Sequence, residues 1–285
     1  MRTLASRLYH GWRRKWRRSR VERSLRRFSG IRGTRHELPE QLVISLTSYP
    51  PRFVNLSKTL KSLLDQAVRA DVVILWVAEA DFPLLPADVL ALRDAGLRIA
   101  TCPDWRSYKK IVPALSMFPT SIIVTADDDV FYDRHWLDGL VKEHERYPDH
   151  VVGYRAHLAV VRKNEQGFEK YSSWPFNISA TEDQGREKLI FPTGMGGILY
   201  PPNSLHAEVF DASLFMDICR DADDVWLFWM ARMAGFPHRR VPSRFEEIIW
   251  GDPEDESLAA KNLFGGHNDY RIAAMFDHFG FPEPK

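Results

Sequence analysis

Ile122-Ile123-Val124-Thr125-Ala126-Asp127-Asp128-Asp129-Val130 is an apolar, β-branched run that ends in three consecutive carboxylates. Its length and composition are those of a buried strand. Alternate side chains of an extended segment point the same way, so Asp127 and Asp129 are expected to converge while Asp128 points elsewhere. Ligands of open parallel sheets collect at the carboxyl ends of strands. Two carboxylates there suit Mg²⁺ or Mn²⁺, hard cations that favour oxygen ligands and also bind substrate phosphates. The plainer reading is a solvated acidic turn that caps the next helix. Mutual repulsion of three adjacent acids weighs against it.

Working outward, strand-like and helix-like periods alternate from residue 42. Leu42–Leu46 is a short apolar run, followed by helical spacing at Phe53, Leu56, Leu60, Leu63 and Leu64. Val72–Val77 is a second strand, and Val89, Leu92 and Leu97 outline a further helix and strand. Lys110–Phe118 reads as helical despite Pro113, and Trp136–Tyr147 as the next helix. This βαβα rhythm predicts an α/β fold: a mostly parallel sheet with helices on both faces. After Val151 the rhythm breaks down. Residues 160–190 are polar and irregular and read as a loop or flap over a site. Gly194, Gly196 and Gly197 precede a strand-like Ile198–Tyr200, and helical patterns close the chain at Asp223–Ala234 and Tyr270–Phe279.

The net charge of +1 conceals an asymmetry. Residues 1–35 hold thirteen of the 39 Lys and Arg but only one, Glu22, of the 38 Asp and Glu. Leu4, Leu8, Trp12 and Trp16 recur every four residues, and Val21, Leu25 and Phe28 continue the stripe with a small phase shift. Arginines fill the other faces. Such a basic amphipathic helix suits an anionic membrane surface, with residues 1–30 as the contact. A helix for a protein partner, a solvated tail and a nucleic-acid arm are the alternatives, and a nucleic-acid partner is not expected. Residues 1–38 are therefore separated from a single domain at 39–285. No run approaches the roughly 18 apolar residues of a membrane span, and the start lacks the apolar core of a secretory signal. Two distant cysteines fit a reducing compartment, so a cytoplasmic protein, peripheral on the inner face of the membrane, is the expectation.

Further segments occur in a telling order: Ser45-Leu-Thr-Ser-Tyr-Pro-Pro-Arg52, Ser107-Tyr-Lys-Lys110, Val124-Thr-Ala-Asp-Asp-Asp-Val130, Thr193-Gly-Met-Gly-Gly-Ile-Leu-Tyr-Pro-Pro-Asn-Ser204 and Ala222-Asp-Asp-Val-Trp226. Together they resemble bacterial GT-A-type glycosyltransferases related to family 2, found among capsule and lipopolysaccharide enzymes. The resemblance spans roughly residues 42–275. It implies a GT-A-like, Rossmann-like sheet and transfer of a sugar from a nucleotide sugar to a glycan or lipid-linked acceptor. It also implies that Asp127 and Asp129 hold Mn²⁺ or Mg²⁺ against the donor diphosphate, where the metal stabilises the departing charge. Asp128 would meet the ribose or the sugar.

By the same resemblance, Thr47, Ser48, Tyr49 and Arg52 lie against the nucleotide, and Glu79 reads the base. Lys109, preferred over Lys110, meets a phosphate at a helix start. Asp223-Asp224 matches the acidic pair of inverting members, with Asp224 as the base that takes the acceptor proton and Asp223 as a helix cap. His267, within Gly265-Gly266-His267-Asn268-Asp269, completes the metal shell, with His238 as competitor. Trp174 and Trp226 are candidates for stacking on sugar rings, or core residues. Two other chemistries fit the aspartates. A strand followed by Asp-x-Asp-x-Val also opens haloacid-dehalogenase-like phosphatases, and Gly251-Asp252 with Asp255 imitates their later metal motif. That motif normally starts its domain, whereas three βα units precede it here. A nucleotidyltransferase should carry a glycine-rich, lysine-bearing loop after the first strand, where this chain has Thr-Ser-Tyr-Pro-Pro-Arg.

Overall fold

The computed structural model describes residues 16–162, 167–179, 189–250 and 266–281. A helix at 16–25 (α1) leads into the first strand of the main sheet, β1 (Leu42–Thr47). Helix α2 (Phe53–Leu64) returns over one face, and β2 (Val72–Ala78) and β3 (Leu97–Cys102) extend the sheet on one side. Helix α3 (Val112–Met117) then carries the chain to β4 (Ile122–Ala126) on the other side of β1. Helix α4 (Trp136–Arg146), β5 (Val151–Gly153), β6 (Ile198–Tyr200), α5 (Asp223–Met233), β7 (His238–Arg240) and α6 (His267–Phe279) complete the body.

The seven strands lie in the order β7-β5-β6-β4-β1-β2-β3. Strands β4, β1, β2 and β3 run parallel, with Val43 opposite both Val72 and Ile123. β6 is inserted antiparallel between β4 and β5, and β7 runs parallel to β5. The mostly parallel sheet expected from the βα rhythm is present. The antiparallel insertion was not expected, because a three-residue apolar run carries no signal of direction.

Strand alternation divides the interior into two cores. Leu42, Ile44, Leu46, Ile122 and Val124 face α2 and α4, packing on Leu56, Leu60, Trp136 and Leu140. Val43, Ile74 and Ile123 face the opposite side, toward Trp226, Phe228 and Trp229 of α5 and Ile272 and Met275 of α6. Burying each such aliphatic side chain contributes about 2 kcal/mol. Two covered faces explain why these strands read as continuous apolar runs rather than as alternating ones.

The segment expected to form a flap is anchored where it is described. Ala156–Leu158 pairs antiparallel with Ile190–Pro192. Phe168, Tyr171 and Trp174 pack into one aromatic cluster with Phe191 and Phe228. Trp174 is thus a core residue, as is Trp226, which is fully buried against Phe215 and Phe279. Neither is free to stack on a sugar. No helix among the described residues is long and apolar enough to cross a membrane.

Candidate active site

The three aspartates leave the carboxyl end of β4 in a turn, next to the end of β1. The Asp127 N–H donates to the Tyr132 hydroxyl at 2.7 Å, which pins the first residue of the turn. Exposure separates the three as the alternation argument expects: the side chains of Asp127 and Asp129 are 25% and 31% exposed, that of Asp128 only 7%. Their partners differ from the simple picture, because the strand ends at Ala126 and strict alternation ends with it.

Asp128 turns inward under the loop that follows β1. Its carboxylate accepts from Ser48 Oγ at 2.5 Å and from Arg52 Nη1 at 2.7 Å. Burial pushes this carboxyl up against the opposing pull of Arg52 and Ser48. Rather than facing a ribose, Asp128 holds the Ser48–Arg52 loop against the aspartate turn. Ser48 is buried in the same contact, and Thr47 is engaged by the Trp76 carbonyl at 2.9 Å. Tyr49 is 45% exposed, with the Arg52 guanidinium 5.7 Å from its ring centre. Arg52 Nη1 also lies 3.0 Å from Asp129 Oδ2, so one guanidinium serves two of the three aspartates. Burial, with Asp127 and Asp128 adding to it and Arg52 opposing, raises the Asp129 carboxyl to about 6.

Asp127 belongs to a second cluster on the α5 side of the sheet. Lys110, buried in the turn before α3, places its ammonium 3.2 Å from Asp127 Oδ1 and 3.1 Å from Asp223 Oδ2. Burial would lower this lysine, but Asp127, Asp223 and Asp224 outweigh it and hold the ammonium charged. Asp224 Oδ1 accepts the Gly194 N–H at 2.9 Å. Burial, then Asp223 and Asp127, lift the Asp224 carboxyl to about 7 against the pull of Lys110. Gly194 lies where these groups meet. A Cβ there would sit 3.1 Å from Lys110 Nζ, 3.3 Å from Asp224 Oδ1 and 3.7 Å from Asp127 Oδ1.

Other expected residues stand apart. Lys109 pairs with Asp104, so Lys110 rather than Lys109 reaches the aspartates. The two follow each other in a single 3₁₀ turn, where periodicity does not say which faces inward. Glu79 is exposed just past β2. His267 is exposed as the first residue of α6, because that helix takes its phase from buried Asn268, Ile272 and Met275. Asp269 on the same helix accepts the Tyr171 N–H at 2.6 Å. Among the described residues no group of three His, Cys, Asp or Glu side chains is arranged for a metal, and the expected set of Asp127, Asp129 and His267 does not assemble. His238 is buried against Phe228 and burial drives its pKa down to about 3. Gly251, Asp252 and Asp255 lie outside the described residues.

Asp127 and Asp129 are oxygen donors of the kind a hard divalent cation would take, although each is paired with its own cation, Lys110 and Arg52. Asp127 and Asp129 are partly open, and the Asp127 charge adds to the rise of the Asp129 carboxyl. Mg²⁺ and its relatives commonly take one or two carboxylates and fill the remaining positions with water and substrate phosphate. A third protein ligand is not required.

No protein-family model and no curated protein matches the sequence. Among solved structures, a CMP:2-keto-3-deoxy-manno-octonic acid synthetase complexed with CTP superposes with a TM-score of 0.42 at 11% identity, over 70% of this chain and 88% of that one. A glucosyl-3-phosphoglycerate synthase from Mycobacterium tuberculosis, in complex with Mn²⁺, uridine diphosphate and glucosyl-3-phosphoglycerate, gives 0.44 at 13% identity, over 86% and 82%. Superpositions this loose carry no argument about activity, and the functional reading rests on the residues themselves.

Proposed function

We propose that the chain is a metal-assisted glycosyltransferase that moves a sugar, with inversion, from a nucleoside-diphosphate sugar to the hydroxyl of a glycan or lipid-linked acceptor. One observation carries this reading: Lys110 ties Asp127, at the open end of β4, to Asp223 of the Asp223-Asp224 pair, with Asp224 beside it over Gly194. Displacement at an anomeric carbon needs a cationic group on the leaving diphosphate and a base on the attacking hydroxyl, a few ångströms apart. The two clusters offer that pairing. A role in surface polysaccharide assembly rests on the motif resemblance alone.

Asp127 and Asp129 would hold the metal, which when bound supplies positive charge for the departing diphosphate. Arg52, a third exposed at the mouth of the same turn, is the protein's own cation on the donor side. Tyr49 offers a ring face there. Asp224 receives the acceptor proton: its pKa of about 7 places it near the ideal for a general base at neutral pH. The Gly194 N–H on Oδ1 fixes the plane of that carboxylate. Lys110 keeps Asp127, Asp223 and Asp224 from repelling one another apart.

Replacing Asp224 by Asn tests the assignment of the base. Nucleoside-diphosphate affinity by calorimetry is expected to stay within about twofold, while consumption of nucleotide sugar falls by about 10²-fold or more. Near-normal turnover in Asp224→Asn would show that the base lies elsewhere. Failure of the wild-type chain to consume any nucleotide sugar would reject the glycosyl-transfer reading itself.

A further inference from the structure

The basic helix at the start of the described chain is two-sided, and its sides do different things. Residues 17, 18, 21, 22 and 25 face the body and 16, 19, 20, 23, 24 and 27 face solvent, the spacing of two opposite stripes on one helix. On the inner side Leu25 is buried and Phe28 packs on the core shared by β1 and α2. Glu22 pairs with Lys58 of α2 at 3.1 Å, Arg17 pairs with Glu246, and Arg18 lies over the Trp250 ring. The continuous apolar stripe expected from the sequence is therefore divided at its phase shift. Val21, Leu25 and Phe28 are turned toward the protein, and Trp16 is turned away, 49% exposed.

The outer face carries Trp16, Arg20 and Arg23, and the turn that follows it adds exposed Arg26 and Arg27. Arg20 lies over the Trp16 ring, and none of Arg20, Arg23, Arg26 or Arg27 has a carboxylate within ion-pair distance among the described residues. Arg17 and Arg18 serve the attachment of the helix, whereas the arginines of the outer face form no ion pair among the described residues. Leu4, Leu8 and Trp12, grouped with Trp16 by their spacing in the sequence, lie outside the described residues.

We propose that the face formed by Trp16, Arg20 and Arg23 of α1 and Arg27 of the turn after it binds an anionic lipid surface, with the guanidinium groups on headgroup phosphates and Trp16 in the interfacial layer. Charge complementarity selects an anionic surface. Exposed Trp16 among these arginines selects a lipid over a nucleic acid, because an indole beside basic groups seats at the headgroup level of a bilayer. The inner side of α1 supplies rigid attachment: Trp250, beneath Arg18, donates its backbone N–H to the Asp129 carbonyl at 2.8 Å. The lipid-facing helix is thus seated on the strand-like segment that backs the aspartate turn. The proposal stands independently of the reaction assigned to that turn.

The test is sedimentation of the full chain with vesicles of phosphatidylcholine alone or with phosphatidylglycerol, in parallel with binding to single- and double-stranded oligonucleotides. Binding is expected only with phosphatidylglycerol, weakening as salt is raised. The combined substitution R20Q/R23Q/R27Q should weaken it by about a hundredfold, since each basic residue near such a surface is worth roughly a fivefold change. Trp16→Ser should weaken it with an unchanged salt dependence. All four positions are exposed, and an unaltered thermal transition would show the body intact. Equal sedimentation with both vesicle types, or no loss in the triple variant, would overturn the proposal. So would tight oligonucleotide binding that phosphatidylglycerol vesicles do not displace.

Discussion

Lys110 is the residue on which the cluster of Asp127, Asp223 and Asp224 depends. A buried ammonium among three carboxylates is stabilising only while each partner is present, because removing one member of a buried ionic set leaves uncompensated charge. Lys110→Met should therefore lower the unfolding free energy by about 3 kcal/mol in urea titration. Adding Asp223→Asn to it should return at least about 1 kcal/mol of that loss, since the two side chains touch. Strictly additive effects would show that the contact is energetically idle. At this scale the sequence was partly legible. Asp128 was separable from its neighbours by its place in the run, and it is the buried one. Choosing between Lys109 and Lys110 was not possible from pattern, because adjacent residues in a 3₁₀ turn differ only in which tertiary partners they meet.

Among the elements, the turn between Thr193 and Ile198 is tightly constrained. Gly197 adopts φ +85°, and a Cβ there would lie 2.5 Å from Trp136 and 2.9 Å from the Thr125 carbonyl. Trp136 cannot retreat, since its indole N–H donates to the Gly196 carbonyl at 2.6 Å. Gly197→Ala combines left-handed backbone strain with overpacking, and a loss of about 3 kcal/mol is expected by chemical denaturation. A change below about 1 kcal/mol would mean that the turn relaxes. The major elements were readable because both faces of β1, β2 and β4 are covered, giving long apolar runs, and because α2 and α4 each bury one stripe. Direction and partner were not readable. β6 enters antiparallel, and the apolar stripe of the N-terminal segment splits between protein and solvent where its phase slips between Trp16 and Val21.

Across the whole molecule, burial of neutral histidines sets an acid limit on stability. Burial lowers His157 and His238 to about 3 each. An unfolded histidine takes its proton near pH 6.5, so the stability these residues contribute is complete above that value and is lost as pH falls toward 3. Asp224 and Asp129, raised to about 7 and about 6, act in the opposite sense over part of that window. The histidine contribution is therefore best read as a difference. Relative to wild type, His238→Phe, which keeps a ring against Phe228, should gain about 3 kcal/mol between pH 7 and pH 4. A constant difference across that range would mean that His238 is not held neutral.

The central claim is a donor site built on Asp127 and Asp129, and it is tested most directly by thermal unfolding with nucleoside diphosphates, with and without Mn²⁺. The wild-type transition should move up with at least one diphosphate only when Mn²⁺ is present, reflecting about 2.7 kcal/mol of added stability at a hundredfold excess over Kd. Asp129→Asn should abolish that metal dependence. Stabilisation of equal size without Mn²⁺, or in Asp129→Asn, would contradict a metal–diphosphate role for the pair, as would none with any nucleoside diphosphate.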